Sequence, residues 1–278
     1  VKKGYKIGVM KRESSDLCRL EGYTNKIDFF DVNDGLQKPF MQYKKIDIVM
    51  HTATCYGHNK ETEQSIFETN VVFPMELLNL SIDYKVELFC NTDTYFNNPE
   101  NSQQHLMHYT LSKRHFRDWL KLISINKELK ICNLKLEHLF GRNDSENKFI
   151  NRFIIQCLNN VTKIPLTFGN QKRDFIYIDD VVIAFDCILN NMHKLEKDFN
   201  EYGVGYGESI SIRDFISMIH SAAKSTSILD FGALPLREGE LEESYADNKT
   251  LKLLGWAPSY LLQDAINKTV SFYIDKDN

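Results

Sequence analysis

Short, nearly continuous apolar runs alternate with segments of helical periodicity along the whole chain, and this alternation most narrows the folds open to it. Ile46–Ala53 (IDIVMHTA) reads as a strand buried on both faces. Tyr5–Met10, Glu87–Cys90, Leu129–Leu136 and Phe175–Ile178 read as further strands. Between them, Ser65–Leu80 places apolar residues at 66, 67, 71, 72, 75, 77, 78 and 80, one face of a helix. Helices are also expected near Tyr109–Ser124, Asn147–Leu158, Asp180–Asn190 and Ser211–Ala223, and from Leu262 onward. Parallel strands need crossover connections, which these helices supply, so the expected fold is α/β with a doubly wound parallel sheet.

Such a sheet commonly opens with a strand, a glycine-rich turn and a helix whose N-terminus holds a pyrophosphate. No G-x-G-x-x-G or G-x-x-G-x-x-G turn occurs in the sequence. The start, Val1-Lys2-Lys3-Gly4-Tyr5-Lys6-Ile7-Gly8-Val9, reads as the last turn of that helix running into a second strand. An upstream segment of roughly 25–30 residues, carrying the first strand and the turn, is therefore expected.

Charge excludes one class of partner. The formal net charge of −4 is spread over interspersed acids and bases, which gives no footprint for nucleic acid. No apolar run approaches the ~18 residues of a membrane span, and the first residues lead into no signal-peptide core, so a cytoplasmic protein with no membrane partner is expected. Cys18, Cys55, Cys90, Cys132, Cys157 and Cys187 lie far apart without C-x-x-C spacing. They are expected to be buried, reduced thiols, and no metal site is expected.

Chemistry concentrates in Tyr109-Thr110-Leu111-Ser112-Lys113, a Y-x-x-x-K at the start of a helix. The i, i+4 spacing puts phenol and ammonium on one helix face. An adjacent ammonium favours phenolate, so Lys113 is expected to lower the pKa of Tyr109 from its ordinary ~10 and fit it for proton exchange with a hydroxyl or carbonyl.

In that context the chain resembles the extended short-chain dehydrogenase/reductases, the NAD-dependent epimerase/dehydratase family. Asp47–Ala53 is similar to the family's fourth strand, Glu68-Thr69-Asn70-Val71 to its T-N-V helix contact, and Phe89–Tyr95 to the strand end carrying the triad Ser or Thr. Gln171–Asp180 resembles its R-D-F-x-Y-V-x-D segment and Arg237-Glu238-Gly239-Glu240 its R-x-G-E loop. Thr54–Asn59, Leu134–Gly141 and Arg173–Leu189 look most similar to CDP-paratose and CDP-abequose synthases. The resemblance implies a Rossmann-like NAD(P)-binding domain over 1–136, N-terminally incomplete, to which part of 175–205 returns. The remainder of 137–278 would be a smaller lobe for a nucleotide sugar.

It also implies roles. Thr92, Tyr109 and Lys113 would be catalytic, with Thr94 the rival to Thr92. Lys11 and Arg12, Asp31 and Val32, Thr52, Ala53, Thr54 and Asn70 would face the cofactor along with Tyr109 and Lys113. Basic residues at 11 and 12 suit the 2′-phosphate of NADP, which is preferred, with NAD possible; a solvated loop charge is the plain alternative. Asp31 is equally a turn or cap residue. On the substrate side stand Thr94, His138, Lys148, Phe149, Arg173 and Arg237. The arginines suit a diphosphate or a salt bridge, His138 a sugar contact or a structural bond, and Phe149 the core or a base-stacking platform. The 93–108 stretch between Thr92 and Tyr109, with Asn97-Asn98-Pro99, is shorter than in most relatives, which fits a small dideoxy sugar.

The implied function is an NADPH-dependent 4-ketoreductase of a CDP-linked deoxyhexulose, serving lipopolysaccharide O-antigen synthesis. A nucleotide-sugar 4-epimerase retaining NAD and a non-catalytic nucleotide-binding relative are the alternatives. A homodimer through the Tyr109 helix is expected, with Phe116, Trp119, Leu120 and Leu122 either serving it or belonging to the core.

Overall fold

A computed structural model of the chain describes residues 1, 3–57, 60–97, 106–125, 128–146, 148–196 and 198–277. Gly8–Lys11 (β1) and Asp28–Asp31 (β2) form a parallel pair with Lys11 opposite Asp31. Lys38–Gln42 (α1) leads to Ile48–His51 (β3), followed by Glu63–Phe67 (α2), Phe73–Asp83 (α3), Leu88–Thr94 (β4), Met107–Ser124 (α4) and Lys130–Leu136 (β5). His138–Phe140 (β6), Phe149–Leu158 (α5), Lys163–Leu166 (β7), Lys172–Arg173 (β8) and Phe175–Tyr177 (β9) then build a second layer. Ile178–Asn190 (α6) carries the chain back to Phe199–Val204 (β10), which pairs with β5. Ile210–Ser211 (β11), Ile212–Ala222 (α7), Ile228–Phe231 (β12), Lys249–Leu253 (α8) and Leu262–Asp277 (α9) follow.

The principal sheet runs β10–β5–β4–β3, all parallel. Helices cover both faces, so every residue of β4 is buried, polar Asn91, Thr92, Asp93 and Thr94 included. On one face Leu88, Cys90, Cys132 and Leu134 meet Val181, Ala184 and Ile188 of α6. On the other, Phe89 and Ile131 meet Leu78 of α3 and Phe116 and Leu120 of α4. Each such side chain contributes about 1.5–3 kcal/mol by leaving water. A third core lies in the second layer, where Phe175 stacks on Phe215 with ring centroids 3.6 Å apart, beside Phe140, Phe153 and Ile216.

The expected α/β fold with a parallel central sheet is present, and its departures have local causes. The 65–80 segment is not one regular helix: a π-helical turn, Glu68–Val72, joins α2 to α3, and the Phe73 N–H reaches the Glu68 carbonyl. Pro74 in the first turn of α3 lacks an N–H, and its ring would press on the Asn70 carbonyl four residues back. Widening the turn relieves both problems. The first strand begins at Gly8 rather than Tyr5. Cys90, Cys132 and Cys157 are buried as expected, but Cys18 is exposed on a 3-10 turn beside Asp16. Asn147, the expected start of α5, lies outside the described residues, as do Asn98, Pro99, His58 and Asn59. No helix among the described residues is long and apolar enough to cross a membrane.

Candidate active site

The end of β4 and the first turns of α4 meet where Tyr109 and Lys113 share the inner helix face with Phe116 and Leu120. Lys113 is 2% exposed and donates from Nζ to the Thr92 carbonyl at 2.6 Å. The Tyr109 phenol lies beside the Thr94 hydroxyl, and its ring lies 4.9 Å from that of Tyr56 and edge-on to Phe96 at 6.5 Å. Thr92 instead donates its hydroxyl to the His51 carbonyl at 3.2 Å. Of the two candidate threonines, Thr94 stands at the phenol and Thr92 bonds the strand before it. The reason is register: β3 ends opposite Asn91, so Thr92 still lies beside a β3 carbonyl while Thr94 projects beyond the ladder.

The electrostatics also differ from expectation. Burial raises the Tyr109 pKa well above its ordinary value, with the Tyr56 phenol adding to the rise and the Thr94 hydrogen bond opposing it. The expected depression by Lys113 is absent because that ammonium is turned to the Thr92 carbonyl and desolvation of the phenol dominates. Burial in turn lowers Lys113 to about 8, against the pull of Asp93.

Beneath the pair runs a buried polar seam that motif reading did not register. The His51 ring and Asn91 Oδ1 are 2.9 Å apart, and Asn91 Nδ2 donates to Asn133 Oδ1 at 2.7 Å. Asn133 Nδ2 donates to Asp93 Oδ2 (2.9 Å) and Glu201 Oε2 (3.0 Å). Asp93 Oδ1 accepts from the Thr94 N–H and from Asn97 Nδ2. Burial raises the Asp93 pKa, opposed by these bonds and by Lys113. A signal was available: polar residues sit at alternate positions on two successive strands, at 91 and 93 and at 133 and 135.

On the cofactor side, Thr52 and Ala53 are exposed just past β3, and Thr54 is half-buried. Asn70 is fully buried and spends its amide on the protein: Oδ1 accepts from the Cys55 N–H (2.8 Å), while Nδ2 donates to the Cys55 carbonyl (2.8 Å) and the Ser112 hydroxyl (3.0 Å). It thus clasps the 52–56 loop to α4, with both amide hydrogens spent on the protein. Asp31 caps a turn through Asn33 N–H and sits 3.9 Å from Lys11 Nζ; Val32 begins that turn. Arg12 is exposed and its guanidinium has no partner among the described residues. These residues fit a dinucleotide: the buried Lys113 ammonium bonds one carbonyl and keeps donors for ribose hydroxyls, and Arg12 is disengaged where a phosphate could pair with it.

On the substrate side, the Tyr95 hydroxyl and His138 Nε2 are 3.0 Å apart, and their ring centroids are 4.4 Å apart with the planes tilted by 40°. Burial, then Arg173, lowers the His138 pKa to about 3, and burial raises the neighbouring Glu137 to about 7. Arg173 is 3% exposed and bonds Glu240 Oε1 at 3.2 Å and the Lys172 carbonyl at 2.7 Å, so it ties down the 237–240 loop. Arg237 on that loop is exposed. Lys148 pairs with Asp144 and stands 5.9 Å from the Tyr56 ring. Phe149 is 43% exposed, which removes it from the core. Phe168, not singled out in the sequence, is still more exposed and packs beside Gly232.

Comparison with known proteins bears on this arrangement. The NAD dependent epimerase/dehydratase family matches residues 1–205. The CDP-abequose synthase of Salmonella typhimurium is 39% identical over 215 residues, 76% of this chain and 71% of that protein. That of Salmonella muenchen is 32% identical over 277 residues, 98% of this chain and 90% of that one. Among solved structures, UDP-glucose 4-epimerase from Thermotoga maritima with UDP-glucose aligns with a TM-score of 0.84 at 20% identity, covering 100% of this chain and 93% of that one. The Thermus thermophilus UDP-glucose 4-epimerase with NAD aligns with a TM-score of 0.78 at 21% identity, covering 98% and 92%.

Proposed function

This chain belongs to the NAD dependent epimerase/dehydratase family, and from that premise we propose that it is a nucleotide-sugar 4-ketoreductase. Its substrate is a CDP-linked 4-keto-3,6-dideoxyhexose, its reductant NADPH, and its product an O-antigen sugar precursor. The similarity to CDP-abequose synthases supports the substrate class. The observation that carries the reaction type is the Tyr109 phenol, buried, kept protonated and placed beside Thr94 at the mouth of β4. A phenol whose pKa is raised begins the cycle as a proton donor, which is what carbonyl reduction requires.

NADPH, which Lys113 and Arg12 would hold, would supply the hydride for C4 of the sugar. Tyr109 gives its proton to the C4 oxygen as negative charge develops there, and Thr94, already at the phenol, bonds the same oxygen. Lys113 holds ribose hydroxyls with the donors that Thr92 leaves it, which fixes donor and acceptor carbons together. Asn70 keeps the loop of Thr52, Ala53 and Thr54 in place, and Asp31 and Val32 border the adenosine end. Arg12, with Lys11 beside it, takes the 2′-phosphate and so prefers NADP. Residues 137–278 supply most of the sugar-nucleotide lobe: His138 borders the sugar, Phe149 and Phe168 offer exposed rings to the base, and Arg237 and Lys148 bring charge toward the diphosphate.

The protein dimerises through α4. Leu111, Trp119 and Leu122 are exposed on its outer face, whereas Phe116 and Leu120 are core and do not take part.

The test is NADPH consumption with CDP- and dTDP-linked 4-keto sugars, with Tyr109→Phe alongside. CDP-dependent consumption that the substitution abolishes supports the proposal. Purification with tightly held NAD and no net consumption would give the epimerase reading instead.

A further inference from the structure

Tyr95 follows Thr94, and its ring stacks on Phe96 at 4.2 Å, while Phe96 meets Tyr109 edge-on. A hexose that brings its reacting oxygen to Tyr109 and Thr94 therefore lies alongside Tyr95. The far face of Tyr95 is covered by His138, whose ring is also edge-on to Phe175. Both groups in the 3.0 Å contact are neutral near pH 7: burial raises the Tyr95 pKa and lowers that of His138. A neutral imidazole can carry its proton on either nitrogen; the Glu137 carboxyl beside the ring favours the tautomer in which the phenol donates to Nε2 and the imidazole proton resides on Nδ1. That nitrogen is buried, has no hydrogen bond, and faces Glu137 Oε2 at 3.6 Å. Neither polar hydrogen of the pair is available to a ligand.

We propose that Tyr95 and His138 together determine sugar specificity by forming a wall that can accept but not donate, so that the enzyme selects a hexose deoxygenated where it meets them. A sugar hydroxyl placed there gives up its bonds to water and regains at most one, as donor to the Tyr95 oxygen. A C–H at the same position loses nothing and packs against ring carbons. This inference deepens the nucleotide-sugar reading and rests on it. It gives Tyr95 a role that the resemblance does not, and gives His138, which stands where most of the family has Asn, a defined one.

The experiment compares binding of CDP-3,6-dideoxyhexose with CDP-hexoses that carry one added hydroxyl, at C3 or at C6. Affinities are measured by calorimetry with NADP⁺ present, for the full chain, Tyr95→Phe and His138→Asn. The wild type is expected to prefer the dideoxy sugar by about tenfold over at least one hydroxylated form. Tyr95→Phe frees Nε2 to carry the proton and donate, and His138→Asn supplies an amide donor; either is expected to bring the preference below about threefold. Imidazole nitrogen NMR supplies the independent readout: His138 carries its proton on Nδ1 in the wild type and moves it toward Nε2 in Tyr95→Phe. Equal wild-type affinities together with intact keto-sugar turnover overturn this inference alone. A preference that survives both substitutions also overturns it. Failure to bind any CDP-sugar overturns it and the reading beneath it.

Discussion

Tyr109 and Lys113 are each shifted in the direction burial dictates, the phenol toward holding its proton and the ammonium toward losing it. Replacing Tyr109 by Phe keeps the ring and its contacts with Tyr56 and Phe96, so turnover should fall by about 10²–10⁴-fold while cofactor affinity and thermal stability stay near wild type. Lys113 makes a separate prediction in stability. Its folded pKa of about 8 lies below the ordinary ~10.4 of an unfolded lysine, so between those values the unfolded chain binds more protons. Resistance to denaturant should therefore gain a rising contribution from pH 8 upward, and Lys113→Met should remove it; an unchanged slope would contradict the assignment. Glu137 has the opposite sign. Its folded pKa of about 7 exceeds the unfolded ~4.3, so the folded chain binds the extra proton and stability falls as pH rises through that window. Glu137→Gln should flatten the fall, though Asp174, raised to about 6 by burial, leaves part of it in place.

The elements that bring these residues together are held by polar clasps as much as by apolar packing. Asn70 stands on the π-helical turn that Pro74 imposes, and from there its amide reaches both the 52–56 loop and α4. Asn70→Ala leaves the Cys55 N–H and carbonyl without partners and should cost about 2–4 kcal/mol in denaturant unfolding, with weaker NADPH binding measured by fluorescence. This helix shows what a sequence can and cannot announce. The apolar positions of 65–80 marked its buried face at Ile66, Val71, Leu77 and Leu78 but not at Phe67 and Val72, which are exposed, and the extra residue in the turn depends on how Pro74 settles against a carbonyl one turn back, which periodicity does not resolve. The catalytic helix was legible because Tyr109 and Lys113 carry chemistry at helical spacing. The choice between Thr92 and Thr94 was not, because it rests on where β3 stops along β4, and register is a property of two strands together. Asn91, Asn133 and Asp93 were hidden differently: each is unremarkable alone, and only neighbouring strands make them a network. Arg173 read as a phosphate ligand from its motif, yet its burial under Glu240 depends on a loop far along the chain.

At the scale of the whole molecule, the parallel sheet collects the ends of β3 and β4 at one rim and α4 closes over them, while the layer of β6 and β9 brings His138 to the same place. The outward face of α4 carries the apolar side chains of Leu111, Trp119 and Leu122, an arrangement that favours a covering partner. Sedimentation should show a dimer that Trp119→Glu with Leu122→Glu converts to monomer, with the Tyr109 site still able to bind cofactor; a wild-type monomer at all concentrations would remove α4 from that role. The central claim is that this site delivers one hydride to a keto carbon and does not take it back. The most direct measurement incubates the protein with NADPH deuterated at the transferable position and a CDP-linked 4-keto-3,6-dideoxyhexose, then locates the label by NMR. One deuterium at C4 of the product sugar, with one NADP⁺ formed, is the result expected. Unchanged keto sugar and no NADP⁺, with a CDP-linked 4-hydroxy sugar inverted at C4 by protein that retains NAD, would contradict it and would assign the same tyrosine to an epimerase.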